Sequence, residues 1–252
     1  MKFYPETHKY IHKNQEYLSC TTLVGQLFPK FKKSEIATRC AKKQNVRKKN
    51  ILREWKRSST IGTIVHEYAE DVLNKKKPKS DKFLKTKYKL DQEESDKIFK
   101  FKQNVNNIIP NLPKGEIITE QILFDEKTLI SGTIDLPIYT SKIIHVMDWK
   151  TSKQISRFAF NKETDLMDFG VPNANYYKYS MQLAVYQYLI MNTSENKESE
   201  NYKGQKFQHY IIHIPSEEII CIPKKEMNKN NKNINQILNK RKLKLIKQQK
   251  GK

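Results

Sequence analysis

Gly132-Thr-Ile-Asp135-Leu, followed shortly by Val146-Met-Asp148-Trp-Lys150-Thr151, is the stretch on which the fold turns. It sets two carboxylates and one ammonium on neighbouring apolar segments with turn-like residues between them. Ile143-Ile-His-Val-Met reads as a buried strand that ends in charge. Side chains alternate along a strand, so Asp148 and Lys150 share one face and Trp149 takes the other. Burying an acid and a lysine at the end of an apolar strand is costly unless they pair or bind something.

Outward from this stretch, composition bounds the rest. The chain has 252 residues, enough for a well-buried domain. Its 48 Lys and Arg against 27 Asp and Glu give a net charge of +21. Such an excess points to a polyanionic partner, nucleic acid or an anionic membrane surface. A coding bias that enriches Lys and Asn accounts for part of it. No apolar run approaches the roughly 18 residues of a membrane span, and Met1-Lys-Phe-Tyr-Pro-Glu-Thr-His lacks a signal-peptide core. Cys20, Cys40 and Cys221 are scattered and odd in number, which fits a reducing compartment. The expectation is a cytoplasmic protein, acting in the host-cell cytoplasm if the source is viral, with no membrane partner. Without a CxxC pair, neither a zinc ribbon nor an iron–sulfur cluster is expected.

Along the chain, His8 to Leu18 reads as a hairpin turning near Lys13-Asn-Gln, and Ser19-Cys-Thr-Thr22 as the cap of a short helix stopped by Pro29. A basic helix is expected from Ser34 to about Arg57, then a cap-rich entry at 58–63 to a second helix from Ile64 to about Asn74. Asp91 opens another helix to about Ile109. From Glu116 the period turns to β: Ile117–Phe124 and Leu129–Tyr139 as a hairpin through Asp125-Glu-Lys, then the Ile143–Asp148 strand. Residues 152–175 show no clean period, and a loop of that length is often functional. A strongly amphipathic helix follows from about Ala174 to Met191, then a polar loop over 192–204. Strands at Phe207–His213 and Glu218–Ile222 precede a basic helix from Lys224 to about Lys247.

Four constellations carry chemistry. In Gly62-Thr-Ile-Val-His66-Glu-Tyr-Ala-Glu70, His66 and Glu70 share a helix face one turn apart, which suits metal ligation, although a core-side His is also a common structural residue. Asp135 is an acid where strands rarely keep one, with Gly132 permitting close backbone approach or a bulge. Asp148 and Lys150 read alone as a strand-end salt bridge. Gln182 and Tyr186 share another helix face, with Lys178 one turn before them. Glu120, in Ile118-Thr-Glu-Gln-Ile, is a further strand acid.

In this order the four resemble the PD-(D/E)XK nuclease superfamily, and within it the RecB-like exonuclease branch: G-x-x-x-H-x-x-x-E, G-x-x-D, D-x-K and Q-x-x-x-Y, over roughly residues 60–190. The opening residues also look like the start of phage and mitochondrial genome-maintenance exonucleases of that branch. The resemblance implies an α/β fold with a restriction-endonuclease-like core, a central mixed β-sheet flanked by helices. It implies one nuclease domain over 1–252, with a core at about 60–223, a basic helical part at about 19–57 and a basic C-terminal helix at about 224–252.

It also implies a Mg2+-dependent deoxyribonuclease, with Mn2+ as a substitute, acting on single-stranded DNA or duplex ends in recombination, repair or replication, beside proteins of those processes. Asp135, Asp148 and Lys150 would be catalytic. His66, Asp135, Asp148 and the Trp149 carbonyl would hold the metal, with Glu70 and Glu120 as outer candidates. Gln182, Tyr186 and Lys178 would touch DNA. Phe158, Phe160, Tyr176 and Tyr177 are candidates for stacking on bases. Two alternatives stand beside this: a structure- or sequence-specific endonuclease on the same fold, and a catalytically silent nucleic-acid-binding protein.

Overall fold

The computed structural model describes residues 1–4, 6–7, 9–158, 172–193 and 204–250. His8 and Phe160, and most of the polar loop expected at 192–204, lie outside them.

The N-terminal strands β1 (Lys2–Tyr4), β2 (Lys9–His12) and β3 (Gln15–Ser19) form an antiparallel meander. The β2–β3 turn is made by Lys13 and Asn14, both in the left-handed conformation that a two-residue hairpin favours. Ser19 ends β3 and caps α1 (Cys20–Gln26), its hydroxyl accepting from the Thr22 N–H at 3.1 Å. Helix α2 (Lys33–Gln44) stops at Asn45, a left-handed C-cap, and α3 (Lys48–Leu73) then runs unbroken for 26 residues. The expected boundary at 58–63 is therefore absent, and the break falls at 45–47. Thr60 and Thr63 are helix-interior residues whose hydroxyls bond back to the carbonyls of Lys56 (3.2 Å) and Ser59 (3.3 Å). Hydroxyls that look like caps in sequence thus satisfy themselves inside the helix.

Ser80 caps a short α4 (Asp81–Tyr88), which the periodicity did not reveal, and Asp91 with Glu94 makes a capping box for α5 (Gln92–Ile108). Arg57 ties α3 to this corner: it pairs with Glu94 and donates to the carbonyls of Tyr88 (2.9 Å) and Lys89 (3.2 Å).

The expected hairpin is there but bent in two. One arm is β4 (Glu116–Ile117) and β5 (Gln121–Asp125); the other is β6 (Ile130–Ile134) and β7 (Leu136–Tyr139). β5 and β6 join the N-terminal strands in the order β1-β2-β3-β6-β5. β4 and β7 join β8 (Ile143–Lys150), β9 (Lys206–His213) and β10 (Glu218–Cys221) in the order β10-β9-β8-β7-β4. Each sheet is mixed, with β3–β6 and β8–β9 parallel and the other pairs antiparallel. Pro137 explains where the arms part. It has no N–H to give its neighbour, and the β4–β7 ladder ends beside it, at the bond from the Ile118 N–H to the Pro137 carbonyl. Pairing resumes from the Glu120 N–H to the Asp135 carbonyl at 3.1 Å, with Glu120 itself left-handed (φ 49°).

The second sheet is buried on both faces. Ile144, Val146 and Ile211 pack against α6 (Asn175–Asn192), with Met227, Ile234 and Leu238 of α7 (Lys224–Lys250) beyond it. Met147, Trp149 and Ile212 pack with Ile61, Ile64 and Val65 of α3 and with Ile98, Phe101 and Val105 of α5. α6 is buried around most of its circumference, including Leu183, Ala184, Val185 and Tyr186 in succession, rather than along one stripe. It lies between the sheets and α7, so no side of it is left for a broad polar face.

Candidate active site

The site sits where the two sheets diverge. Asp135 occupies the single residue between β6 and β7, and Glu120 the matching gap between β4 and β5. A strand that changes sheets leaves its side chains unpaired at the corner, so both acids project into one opening. β8 brings Asp148 and Lys150 to the same place on the α6 face, with Trp149 turned to the α3–α5 core, as the alternation predicts. α3 supplies His66. Gly62 lets that helix come close to the end of β8, because a Cβ there would stand 3.1 Å from the Thr151 hydroxyl. Gly132 does the same for the helices on the other side: its Cβ would lie 3.0 Å from Cys20 Cβ and 3.1 Å from a ring carbon of Tyr186.

Around this point the contacts are dense. Asp135 Oδ2 accepts from the Trp149 N–H at 3.1 Å and lies 3.4 Å from His66 Nδ1. Lys150 pairs with Asp148 Oδ2, while Gln182 Nε2 donates to Asp148 Oδ1 at 3.2 Å and lies 2.6 Å from the Tyr186 hydroxyl. The Lys150 ammonium also sits 4.6 Å above the ring of Tyr179, three residues before Gln182 on the same face of α6. A cleft of about 210 Å³ opens over these groups, lined by His66, Glu120, Asp135, Asp148, Lys150, Gln182 and Tyr186.

The electrostatics follow from crowding acids in a dry place. Burial pushes the Asp148 carboxyl up to about 6; Lys150 pulls the other way, and Asp135 adds to the rise. Burial also raises Asp135, opposed by Lys150 and by the Trp149 N–H. Glu120 reaches solvent on one flank, yet lost hydration on the other and the charges of Asp135, Glu70 and Asp148 push it up to about 8. Burial takes His66 down to about 4, with Lys150 adding to the fall, so the imidazole is neutral at pH 7. Burial works against the Lys150 charge, but Asp148 and Asp135 outweigh it and hold the ammonium above its ordinary range.

An imidazole and carboxylates whose donor atoms converge are the donor set of a divalent-cation site. His66, Glu120 and Asp135 each offer one atom within 4.8 Å of the others. These are oxygen and nitrogen donors with no thiolate among them, which fits Mg2+ or Mn2+ better than a soft metal.

Not every expected residue joins the cluster. Glu120, ranked in the sequence as an outer candidate, is one of the three converging groups. Glu70 stands further out, 3.9 Å from Lys76. Lys178 does not line the cleft; its ammonium lies 5.3 Å from the ring centroid of Phe28. Of the stacking candidates, Tyr176 is buried beneath Arg157 and bonded to Glu226, while Phe158 is 84% exposed. The cleft also contains residues that motif spacing did not indicate: Phe3, Tyr10, Ser19, Cys20 and Thr21. They arrive through the parallel β3–β6 pairing, which sets Ser19 beside Ser131, a contact across more than a hundred residues that no local pattern announces.

No curated protein matches the chain in sequence. Among solved structures it is similar to the crystal structure of a protein from Eubacterium rectale described as "Putative exonuclease", at 17% identity and a TM-score of 0.41, covering 74% of this chain and 67% of that one. That likeness is too distant to bear on activity. A family model for the PD-(D/E)XK nuclease superfamily matches residues 38–249. The match takes in α3, the bent hairpin, β8 and α6, the elements that bring His66, Asp135, Asp148, Lys150 and Gln182 together. With most of its length matched, the chain belongs to the PD-(D/E)XK nuclease superfamily.

Proposed function

We propose that the chain is a divalent-metal-dependent DNA exonuclease of recombination, repair or replication. The observation that carries the proposal is the convergence of His66, Glu120, Asp135, Asp148 and Lys150 on one cleft in a chain of this superfamily. When bound, Mg2+ or Mn2+ supplies neutralisation of phosphate charge and activation of water. His66, Asp135, Glu120, Asp148 and the Trp149 carbonyl are the groups that would hold it. Lys150, paired with Asp148, would orient the attacking water and stabilise charge developing on the phosphate. Gln182 fixes the Asp148 carboxylate, and the ring of Tyr179 limits where the Lys150 ammonium can move. The RecB-like order of the four motifs favours attack from a strand end. The net charge of +21 supplies attraction to phosphate without reading sequence.

The test uses end-labelled linear oligonucleotides, single- and double-stranded, beside circular single-stranded DNA, with Mg2+ or Mn2+. Stepwise shortening of linear strands with circles left intact is expected, and Asp148→Asn or Lys150→Ala should each slow it by at least about a hundredfold. Cutting of the circles would replace this reading with an endonuclease. Absence of cleavage by the unaltered protein would remove it.

A further inference from the structure

Part of the cleft lining comes from the N-terminal sheet and the start of α1, and its chemistry is unlike the rest. It carries Phe3, Tyr10, Ser19, Cys20, Thr21 and Thr133. Phe3 stacks on Tyr10 with ring centroids 4.6 Å apart and planes 27° from parallel. The Tyr10 hydroxyl lies 2.9 Å from the Thr133 hydroxyl, and Ser19 Oγ lies 3.2 Å from the Thr21 hydroxyl. Phe3 and Thr133 are half-buried and Thr21 is exposed, so the wall presents an aromatic side chain and a row of hydroxyls. Among the described residues, Lys150 is the one cation lining the cleft, and it comes from β8. A neutral surface of rings and hydroxyls suits the uncharged part of a nucleotide, whereas a path for further phosphates calls for cations. Except for Thr133, these wall residues lie before the span matched by the superfamily model, which begins at residue 38.

We infer that strands β1 to β3, Thr133 of the adjoining β6 and the first turn of α1 form a nucleoside subsite, which receives the sugar and base adjoining the scissile phosphate: Phe3 stacks on the base, and Thr21 and Thr133 bond the sugar. The inference rests on the nuclease reading above and deepens it, because a cleft that ends in a neutral wall admits one nucleoside beyond the phosphate.

Three substrates separate the outcomes: a linear oligonucleotide, the same oligonucleotide with an abasic terminal residue, and bis(p-nitrophenyl) phosphate, a diester with no nucleoside. Phe3→Ala should raise KM for the intact oligonucleotide about tenfold, the scale of one lost base–aromatic stack. On the abasic oligonucleotide, already deprived of that stack, it should change KM less than twofold. Thr21→Val, at an exposed position, should raise KM for both oligonucleotides. Neither variant should alter turnover of the small diester, which reports that the metal chemistry and the fold are intact. Unchanged KM on the intact oligonucleotide would overturn the subsite. So would losses of equal size on all three substrates, since a wall that merely supports the fold behaves that way. If the unaltered protein cleaves none of the three, the nuclease reading fails and not the subsite alone.

Discussion

Lys150 is held from two sides, by the carboxylate of Asp148 and by the ring of Tyr179 at 4.6 Å, and only the first partner belongs to the motif. Tyr179, Gln182 and Tyr186 fall at i, i+3 and i+7 on α6, so one helix face positions both the lysine and its aspartate. A desolvated cation–π contact contributes about 1–2 kcal/mol. Tyr179→Leu is therefore expected to lower kcat about tenfold with KM within twofold, and Tyr179→Phe to retain activity, in steady-state assays on one oligonucleotide. The acids make a second prediction. Metal binds ionised carboxylates, and Asp148 and Glu120 are raised to about 6 and about 8, so protons compete with the cation until the pH passes those values. His66, lowered to about 4, already offers a neutral ring. Mg2+ or Mn2+ affinity measured by titration calorimetry should rise steeply between pH 5 and 8 and flatten above it. Glu120→Gln should remove the upper part of the rise, and an affinity independent of pH would show that these carboxyls are not the ligands.

At the scale of elements, the decisive feature is a hairpin that changes sheets at Asp135 and Glu120. Alternation foretold strands over this region and the face taken by Asp148, because periodicity is local. It did not foretell the split, which depends on Pro137 meeting the end of a neighbouring ladder. The helices behaved alike: Asp91 announced the start of α5, where the structure shows a capping box with Glu94, whereas the serines and threonines at 58–63 signalled a boundary that the packing of α3 overrides. Gly132 belongs to this scale, since it sets how closely α1 and α6 approach β6. Gly132→Ala forces a methyl against Cys20 Cβ and the Tyr186 ring, both buried and unable to yield cheaply. It should cost about 1–2 kcal/mol of stability in urea denaturation, overpacking outweighing the gain in chain stiffness. It should also depress kcat through the displaced Tyr186–Gln182 pair.

At the scale of the whole molecule, charge and buried histidines govern behaviour in solution. α2 and the first half of α3 concentrate Lys42, Lys43, Lys48 and Lys49 on exposed positions. Changing all four to Gln should weaken DNA binding across unrelated sequences, and should lower the slope of log affinity against log salt by about 3. His209, 3% exposed in β9, is pushed by burial down to about 4. Its folded pKa lies below its unfolded value, so its contribution is full above about 6.5 and is lost as pH falls towards 4, by about 3 kcal/mol at most. Asp148 and Glu120 act with the opposite sign, so the comparison that isolates His209 is the pH dependence of urea stability with and without His209→Gln. The variant should show the flatter loss between pH 6.5 and 4.

Periodicity, caps and motif spacing, written within a few residues of one another, account for most strands and helices and for the four motifs, and thus for the superfamily; β1 and the bend of the hairpin were not legible in them. Tertiary structure alone decided which acids meet. Glu120 joins His66 and Asp135, Glu70 stays outside, and an N-terminal wall of Phe3, Tyr10 and Thr21 closes the cleft. These are consequences of the parallel β3–β6 pairing and of the bent hairpin, contacts between distant segments whose energy depends on complementary burial rather than on any short pattern.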